Sequence, residues 1–300
     1  MGYREVFADG SAVYSGAGAS PEAIRFHYDT GTEFFRSWLG DELVYSAGRW
    51  REPLTGENIA STLEDAQAAK LDFHLDAVGC GEGKTLLDIG CGWGAAMRRA
   101  IARFNAARTI GITLSSEQFE HVRAQKNPRI EVHLQSWEDV VLPEPVDGAI
   151  SIGAFEHFAQ PHQDRARKVS IYRDFFERTY GLLKPAGRLS LQTIYWQAAD
   201  RALARAIVPN DVFPESDLPY LDEALEAAQP FFRVRYLETS GEDYTRTLRE
   251  WLRRLRQAHE AEPRLVDRGK FAFHENYLRR CIVGFARDRI SLARIVFERL

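Results

Sequence analysis

Two short stretches of this 300-residue chain combine residue types and spacing that suit chemistry. The first is Asp88-Ile89-Gly90-Cys91-Gly92-Trp93-Gly94, an acid followed by glycines at every second position, between an apolar run and a helical pattern. Glycines at such a strand-to-helix turn let the backbone fold tightly and approach a ligand closely. A nicotinamide dinucleotide site would want a second acid about 20 residues on, for the ribose. Thr113-Leu114-Ser115 stand there instead, which argues against it. The second stretch is Phe155-Glu156-His157, a carboxylate and an imidazole just after an apolar run, with the basic residues Arg165, Arg167 and Lys168 close behind. Clustered Arg and Lys can take a phosphate, Arg in bidentate fashion. Each feature has a plainer reading: Glu156 as a helix cap, the basic residues as a solvated helix start. His157 and His162 are five apart, off the i, i+4 face of metal motifs and without a third ligand, so no metal site is expected.

The pattern around these stretches must position them. TLLDI (85–89), RTIGITL (108–114), RIEVHL (129–134), VDGAISI (146–152) and RLSLQTIYW (188–196) read as strands. Helical spacing over 95–104, 115–126 and 169–183 alternates with them, and Ser115 with Gln118 forms a capping-box spacing. Lys184–Gly187 reads as a turn. Strands alternating with helices predict a mostly parallel, doubly wound α/β sheet. Further helices are expected over 217–228, 244–260 and 274–286, with strands over 231–238 and 290–299. Residues 1–20 read as a flexible N-terminus, and 21–300 as one domain in which 21–84 form a helical cap and 85–300 the core. A net charge of −4 does not favour nucleic acid. No apolar run approaches a membrane span, no signal pattern opens the chain, and three cysteines without a C-x-x-C suggest neither disulfides nor zinc. A cytoplasmic location is expected; a homo-oligomer stays open.

The D-x-G-x-G-x-G loop resembles that of class I S-adenosylmethionine (SAM) methyltransferases. Further stretches narrow the resemblance to the cyclopropane fatty-acid synthases and their mycolic-acid relatives: HYDTGTEFFRSWLGDELVYSAGRW (27–50), LLDIGCGWG (86–94), GITLSSEQ (111–118), SIGAFEHF (151–158), LLKPAGRLSLQTI (182–194), GEDYTRTLREW (241–251) and HENYLRRCIVGF (274–285). The resemblance implies the Rossmann-like class I fold, a seven-stranded sheet with an N-terminal helical cap, and SAM as cofactor. It suggests that Tyr45 and Ser46 lean over the methionine part of SAM, with Asp88, Gly90, Gly92 and Gly94 below it. Thr113 and Gln118 would hold the ribose region and Ser136-Trp137-Glu138 the adenine. The plainer alternative for Trp137 is a buried core aromatic.

Two departures from the family stand out. Cyclopropane synthases cradle a bicarbonate base with a cysteine, a glutamate, a histidine and a late tyrosine. Glu156 and Tyr244 keep two of these, but Ala47 and Gln192 stand at the cysteine and histidine positions. The second departure is the insertion AQPHQDRARK (159–168), bearing Arg165, Arg167 and Lys168. With bicarbonate doubtful, Glu156 becomes the candidate base for methylation of an alkene through a carbocation. Tyr28, Phe155, Phe158, Tyr195, Trp196 and Tyr244 are candidates to face the cation, at ~0.5–2 kcal/mol each. Arg165, Arg167, Lys168, Gln192 and Tyr195 would contact the substrate. The expected function is C-methylation of an allylic prenyl diphosphate; the alternative is methylation or cyclopropanation of unsaturated acyl chains of phospholipids.

Overall fold

Short runs of apolar, β-branched residues become the central strands because both faces of a parallel sheet are covered by helices. The computed structural model describes residues 4–6, 12–14, 18–28, 30–198 and 215–300. Strands β1 (Arg4–Val6) and β2 (Ala12–Tyr14) pair antiparallel within the stretch expected to be a flexible terminus. The main sheet comprises β3 (Thr85–Ile89), β4 (Arg108–Thr113), β5 (Ile130–Leu134), β6 (Val146–Ile152), β7 (Leu183–Trp196), β8 (Phe232–Thr239) and β9 (Ile290–Arg299). Its order is β5-β4-β3-β6-β7-β9-β8, with β9 antiparallel to both neighbours. The chain leaves β3 toward β4 on one side and returns as β6 on the other, so the strand order reverses at the β3/β6 boundary. A crevice opens there, beyond the carboxyl ends of the strands.

The helices are α1 (Pro21–Tyr28), α2 (Thr32–Leu39), α3 (Leu63–Ala77), α4 (Ala95–Phe104), α5 (Ser116–Ala124), α6 (Arg165–Leu182), α7 (Leu221–Ala228), α8 (Gly241–Ala261) and α9 (Arg268–Ala286). The expected Ser115 cap is present: its hydroxyl accepts from Gln118 N at 3.2 Å. Helix α6 begins at Arg165, four residues before the expected start, because Asp164 caps it by accepting from Arg167 N at 2.8 Å. The expected turn at Lys184–Gly187 is instead an irregularity inside β7, where Ala186 takes φ 59° and the register to β6 shifts. No described helix is long and apolar enough to cross a membrane.

Apolar clusters cover both faces of the sheet, and the two largest meet at β7. Leu189, Leu191 and Tyr195 of β7 point into one, with Phe155, Tyr172, Phe175 and Phe176. Trp196 and, at its edge, Ile194 point into the other, where α2, α8 and α9 bring Phe35, Trp38, Trp251 and Leu278. The alternation follows from the two-residue period of a strand. The second core is thus shared between the cap and the late helices, and the crevice lies along its edge.

Candidate active site

The glycine-rich turn between β3 and α4 forms the floor of a cleft. Gly90, Gly92 and Gly94 all hold positive φ (82°, 54° and 80°). A Cβ on Gly90 would stand 2.4 Å from the Ala154 Cβ, whereas one on Gly92 would meet nothing within 4 Å and would project into open space. The cleft encloses about 970 Å³, its open mouth included. Tyr28, Tyr45, Ser46, Asp88, Gly90, Gly92, Thr113, Gln118, Trp137 and Phe158 line it. Thr113 Oγ1 donates to Gln118 Oε1 at 2.7 Å, which fixes both side chains at the carboxyl end of β4. Asp88 is buried and its carboxyl is pushed up to about 7 by desolvation, against the pull of the Lys70 ammonium. A bare glycine cradle, a buried acid and polar groups at successive strand ends are the donor set that an adenosyl amino acid needs.

A second pocket of about 860 Å³ adjoins the first, and Tyr28, Tyr45, Gly153 and His157 line both. Its walls are mainly aromatic and aliphatic: Trp196, Tyr244, Leu248, Tyr277, Phe285 and Ile290. Glu156 reaches it from the short 3-10 turn Phe155–His157 that follows β6. Glu156 Oε1 accepts from Ile194 N at 2.6 Å, so β7 holds the carboxyl in place. Oε2 is buried with no hydrogen-bond partner among the described residues. Burial pushes this carboxyl up to about 7, although the Ile194 N–H favours the charged form. Burial, with the Glu156 carboxylate nearby, pushes the Tyr244 phenol well up, so it stays a neutral donor. Burial also holds His157 at about 4, a neutral imidazole, with Nδ1 2.7 Å from Ser216 Oγ. Trp196 Nε1 donates to Asp217 Oδ1 at 3.1 Å, which sets the indole plane at the pocket wall.

The geometry meets a known family at this point. Residues 18–295 match the family described as mycolic acid cyclopropane synthetase. The chain belongs to this family. Over 279 residues it is 36% identical to a cyclopropane mycolic acid synthase 2 of Mycobacterium bovis, covering 87% of this chain and 88% of that protein. The cyclopropane synthase MmaA2 from Mycobacterium tuberculosis superposes with a TM-score of 0.80 at 32% identity, over 94% of this chain and 99% of that one. The mycolic acid cyclopropane synthase CmaA1, solved with S-adenosylhomocysteine (SAH) and CTAB, gives 0.81 at 29%, with the same coverage. A geranyl diphosphate C-methyltransferase from Streptomyces coelicolor, at 18% identity and 0.65, shares the fold alone. The chain is therefore an enzyme of the SAM-dependent methyltransferase class, with SAM as its cofactor.

Several expected site residues lie elsewhere in this synthetase-family fold. Phe155 is fully buried in the other core, stacked on Tyr172 at 4.5 Å, and lines neither pocket. Tyr195 points the same way, as the strand period demands, and its hydroxyl donates to Gln197. Ser136 and Glu138 turn toward each other beside the cleft, and Trp137 alone of that trio lines it, joined by the unexpected Gln135. Gly94 closes the glycine turn behind the cleft wall, at the N-cap of α4. Arg165 is exposed and bound by Asp222 (3.0 Å) and Glu226 (2.8 Å) of α7. Arg167 is exposed and lines neither pocket. Lys168 is wholly buried in an ion pair with Asp217. Arg165 and Lys168 are therefore held in ion pairs, and none of the three basic residues lines either pocket.

Gln192 also differs from expectation. Its carbonyl oxygen accepts from Arg294 Nε at 2.8 Å, and its amide faces the Ala47 carbonyl at 3.5 Å. It lines neither pocket, and Ala47 is buried with no polar side chain to offer. The residues present do not reproduce a bicarbonate cradle. The sequence reading missed Lys70, a buried residue lining the first cleft, His74 and Arg294, which are buried and line neither pocket, and Tyr277 and Cys281 in the second pocket. The last two were findable: Tyr277, Cys281 and Phe285 recur at i, i+4, i+8, one face of a helix. Burial pushes the Cys281 thiol up to about 12, so it is no thiolate nucleophile.

Proposed function

We propose that this enzyme methylates an alkene carbon in an unsaturated acyl chain of a lipid, with Glu156 accepting the proton that is then lost. One observation carries the choice of substrate class. No lysine or arginine lines the second pocket among the described residues, while two carboxylates, Glu156 and Asp217, do. A hydrocarbon chain is compatible with such walls. A diphosphate would meet the Glu156 carboxyl, a neutral imidazole and an Asp217 already paired with Lys168, and no described cation lines the walls to receive it. The high identity to mycolic acid synthases points the same way.

When bound, SAM supplies an electrophilic methyl on its sulfonium; the alkene's π electrons form the new C–C bond as the S–CH₃ bond breaks and its electrons stay on sulfur, leaving SAH. Thr113, Gln118 and Trp137 would hold the nucleoside, and Tyr45 and Ser46 would lie over the amino-acid side. Trp196, Tyr28 and Tyr244 exclude water from the pocket and offer ring faces to the cation left on the other alkene carbon. Glu156 Oε2, lacking a donor of its own, then takes a proton. Loss from the new methyl group closes a cyclopropane; loss from a neighbouring carbon leaves an alkene.

The test is a product assay with SAM and vesicles of a monounsaturated phospholipid, with geranyl diphosphate in parallel. The acyl chain is expected to gain one CH₂, at the same rate in carbon-dioxide-free buffer as with added bicarbonate. A product from geranyl diphosphate alone would overturn the substrate class. A strict need for bicarbonate would return the base role to that ion. In the same assay Arg165→Ala and Arg167→Ala are expected to leave the KM within about twofold, as befits exposed charges away from the pocket.

A further inference from the structure

We propose that Lys168 and Asp217 are positioning residues that lock the Trp196 indole as an end wall of the second pocket, so that the enzyme selects acyl chains by the length of the arm between the alkene and the methyl end. The proposal rests on the acyl-chain reading above. Trp196 is buried and lines the second pocket. A buried indole N–H needs an acceptor, and Asp217 Oδ1 provides it at 3.1 Å. A buried carboxylate in turn needs a counter-charge, and the wholly buried Lys168 supplies it. The backbone holds the same residue, since Asp217 N donates to Ala159 O at 3.0 Å. Ala159 and Lys168 are the two ends of the insertion 159–168, so the insertion grips Asp217 from both ends.

The wall stands at a set distance from the base. Glu156 Oε1 accepts from Ile194 N, and Trp196 follows two residues later on the same strand and the same face. Two residues of extended strand span about 7 Å, so β7 acts as a ruler between the carboxyl and the indole. Its far end is pinned as well, because Trp196 N donates to Pro219 O at 2.8 Å. Past the indole, a hydrocarbon would have to displace a buried ion pair, which is costly. The arm that stops there is the methyl end, because a phospholipid headgroup has no described cation to meet in this pocket. The space between base and wall therefore limits how many methylene groups can follow the alkene.

Vesicles of three phosphatidylcholines test the ruler, carrying cis-vaccenoyl, oleoyl or petroselinoyl chains. These chains are equally long and differ in the position of the alkene, so the methyl-end arm grows in that order. The unaltered enzyme is expected to lose at least about tenfold in kcat/KM from vaccenoyl to petroselinoyl, the discrimination that even one methylene can give. Trp196→Ala should lower the absolute rates and bring that ratio near one; Trp196→Phe should shrink it less. Lys168→Met combined with Asp217→Leu removes the ion pair and the indole's acceptor together, and should shrink the ratio at least about threefold. Lys168→Met combined with Asp217→Asn also discards the pair but keeps a carbonyl acceptor for Trp196, and should recover the parent's ratio. Ratios are taken within one variant, so a loss of folded protein cancels. An unchanged ratio in Trp196→Ala would overturn the ruler. The parent's ratio in the leucine pair, or the same shrunken ratio in both pairs, would overturn positioning through Asp217. Equal rates on all three isomers in the unaltered enzyme would overturn the proposal and leave the acyl-chain reading standing, whereas no product from any isomer would overturn both.

Discussion

Glu156→Gln is expected to lower kcat about 100- to 10,000-fold, the range for removing a positioned general base, with SAH affinity unchanged. Glutamine keeps the shape and can still accept from Ile194 N through its carbonyl, so the turn after β6 should hold. What disappears is the one buried carboxylate oxygen in the second pocket that no described donor occupies. The pH dependence supplies a second readout. Burial places this carboxyl at about 7, so in the unaltered enzyme kcat should rise with pH through about 7 and level off above it. The glutamine variant should lack that rise. Stability should move in the opposite sense. Burial raises this carboxyl above its ordinary value of 4.5, so the native state holds the proton more tightly than the unfolded one. Stability from this group is full at low pH and is lost as pH rises through about 7. Glutamine carries no such loss, so above pH 7 the variant's Tm should be no lower than that of the parent. A large kcat loss accompanied by a falling Tm and weaker SAH binding would point to a structural role instead.

Much of this site was legible in residue patterns, and the parts that were not share a cause. Thr85–Ile89, Val146–Ile152 and Ile290–Arg299 are strands at the ends expected from their composition, because an apolar run between turn residues leaves few alternatives. The D-x-G-x-G-x-G turn needs positive φ at its glycines, and that requirement is local. Tyr195 and Trp196 were both expected in the pocket, yet adjacent strand residues face opposite sides. The period of two alone excludes one of them. Long-range pairing is different. Nothing near Arg165 says that Asp222 and Glu226, 57 and 61 residues later and one helical turn apart, will hold it at the surface. Nor does the pattern of α3 show that Gln67, Lys70 and His74 face inward. Polar residues at helical spacing usually mark the solvated face.

Arg294 is where that blindness hides the largest structural effect. Its guanidinium is wholly buried and spans three elements: Nη2 donates to Gly48 O at 2.8 Å, Nη1 to Glu238 Oε1 at 2.6 Å and to Asp243 Oδ2 at 3.2 Å, and Nε to Gln192. Asp243 in turn accepts from Trp50 N at 3.1 Å and precedes Tyr244 at the start of α8. One side chain thus ties the loop that carries Tyr45 and Ser46 to the helix that carries Tyr244 and to β7, which anchors Glu156. Arg294→Met is expected to destabilise the fold by about 3–5 kcal/mol, the usual cost of removing one partner from a buried ionic network. Against a total of ~5–15 kcal/mol this is a large share. Arg294→Lys should lose less, because it keeps the charge, but it cannot reproduce the fork. Exposed Arg165→Ala, by contrast, should barely move the Tm. The cause is separable by pH. Without Arg294, Asp243 stays buried with that counter-charge gone, and its carboxyl, which burial already raises, is pushed further up. The variant's deficit should therefore shrink as pH falls and Asp243 takes up a proton. A deficit independent of pH would mean that packing, rather than charge, made the difference. In the folded fraction, kcat should fall more than SAH affinity does, since Tyr244 and the Glu156 anchor lose their common reference while the glycine turn, formed locally between β3 and α4, does not.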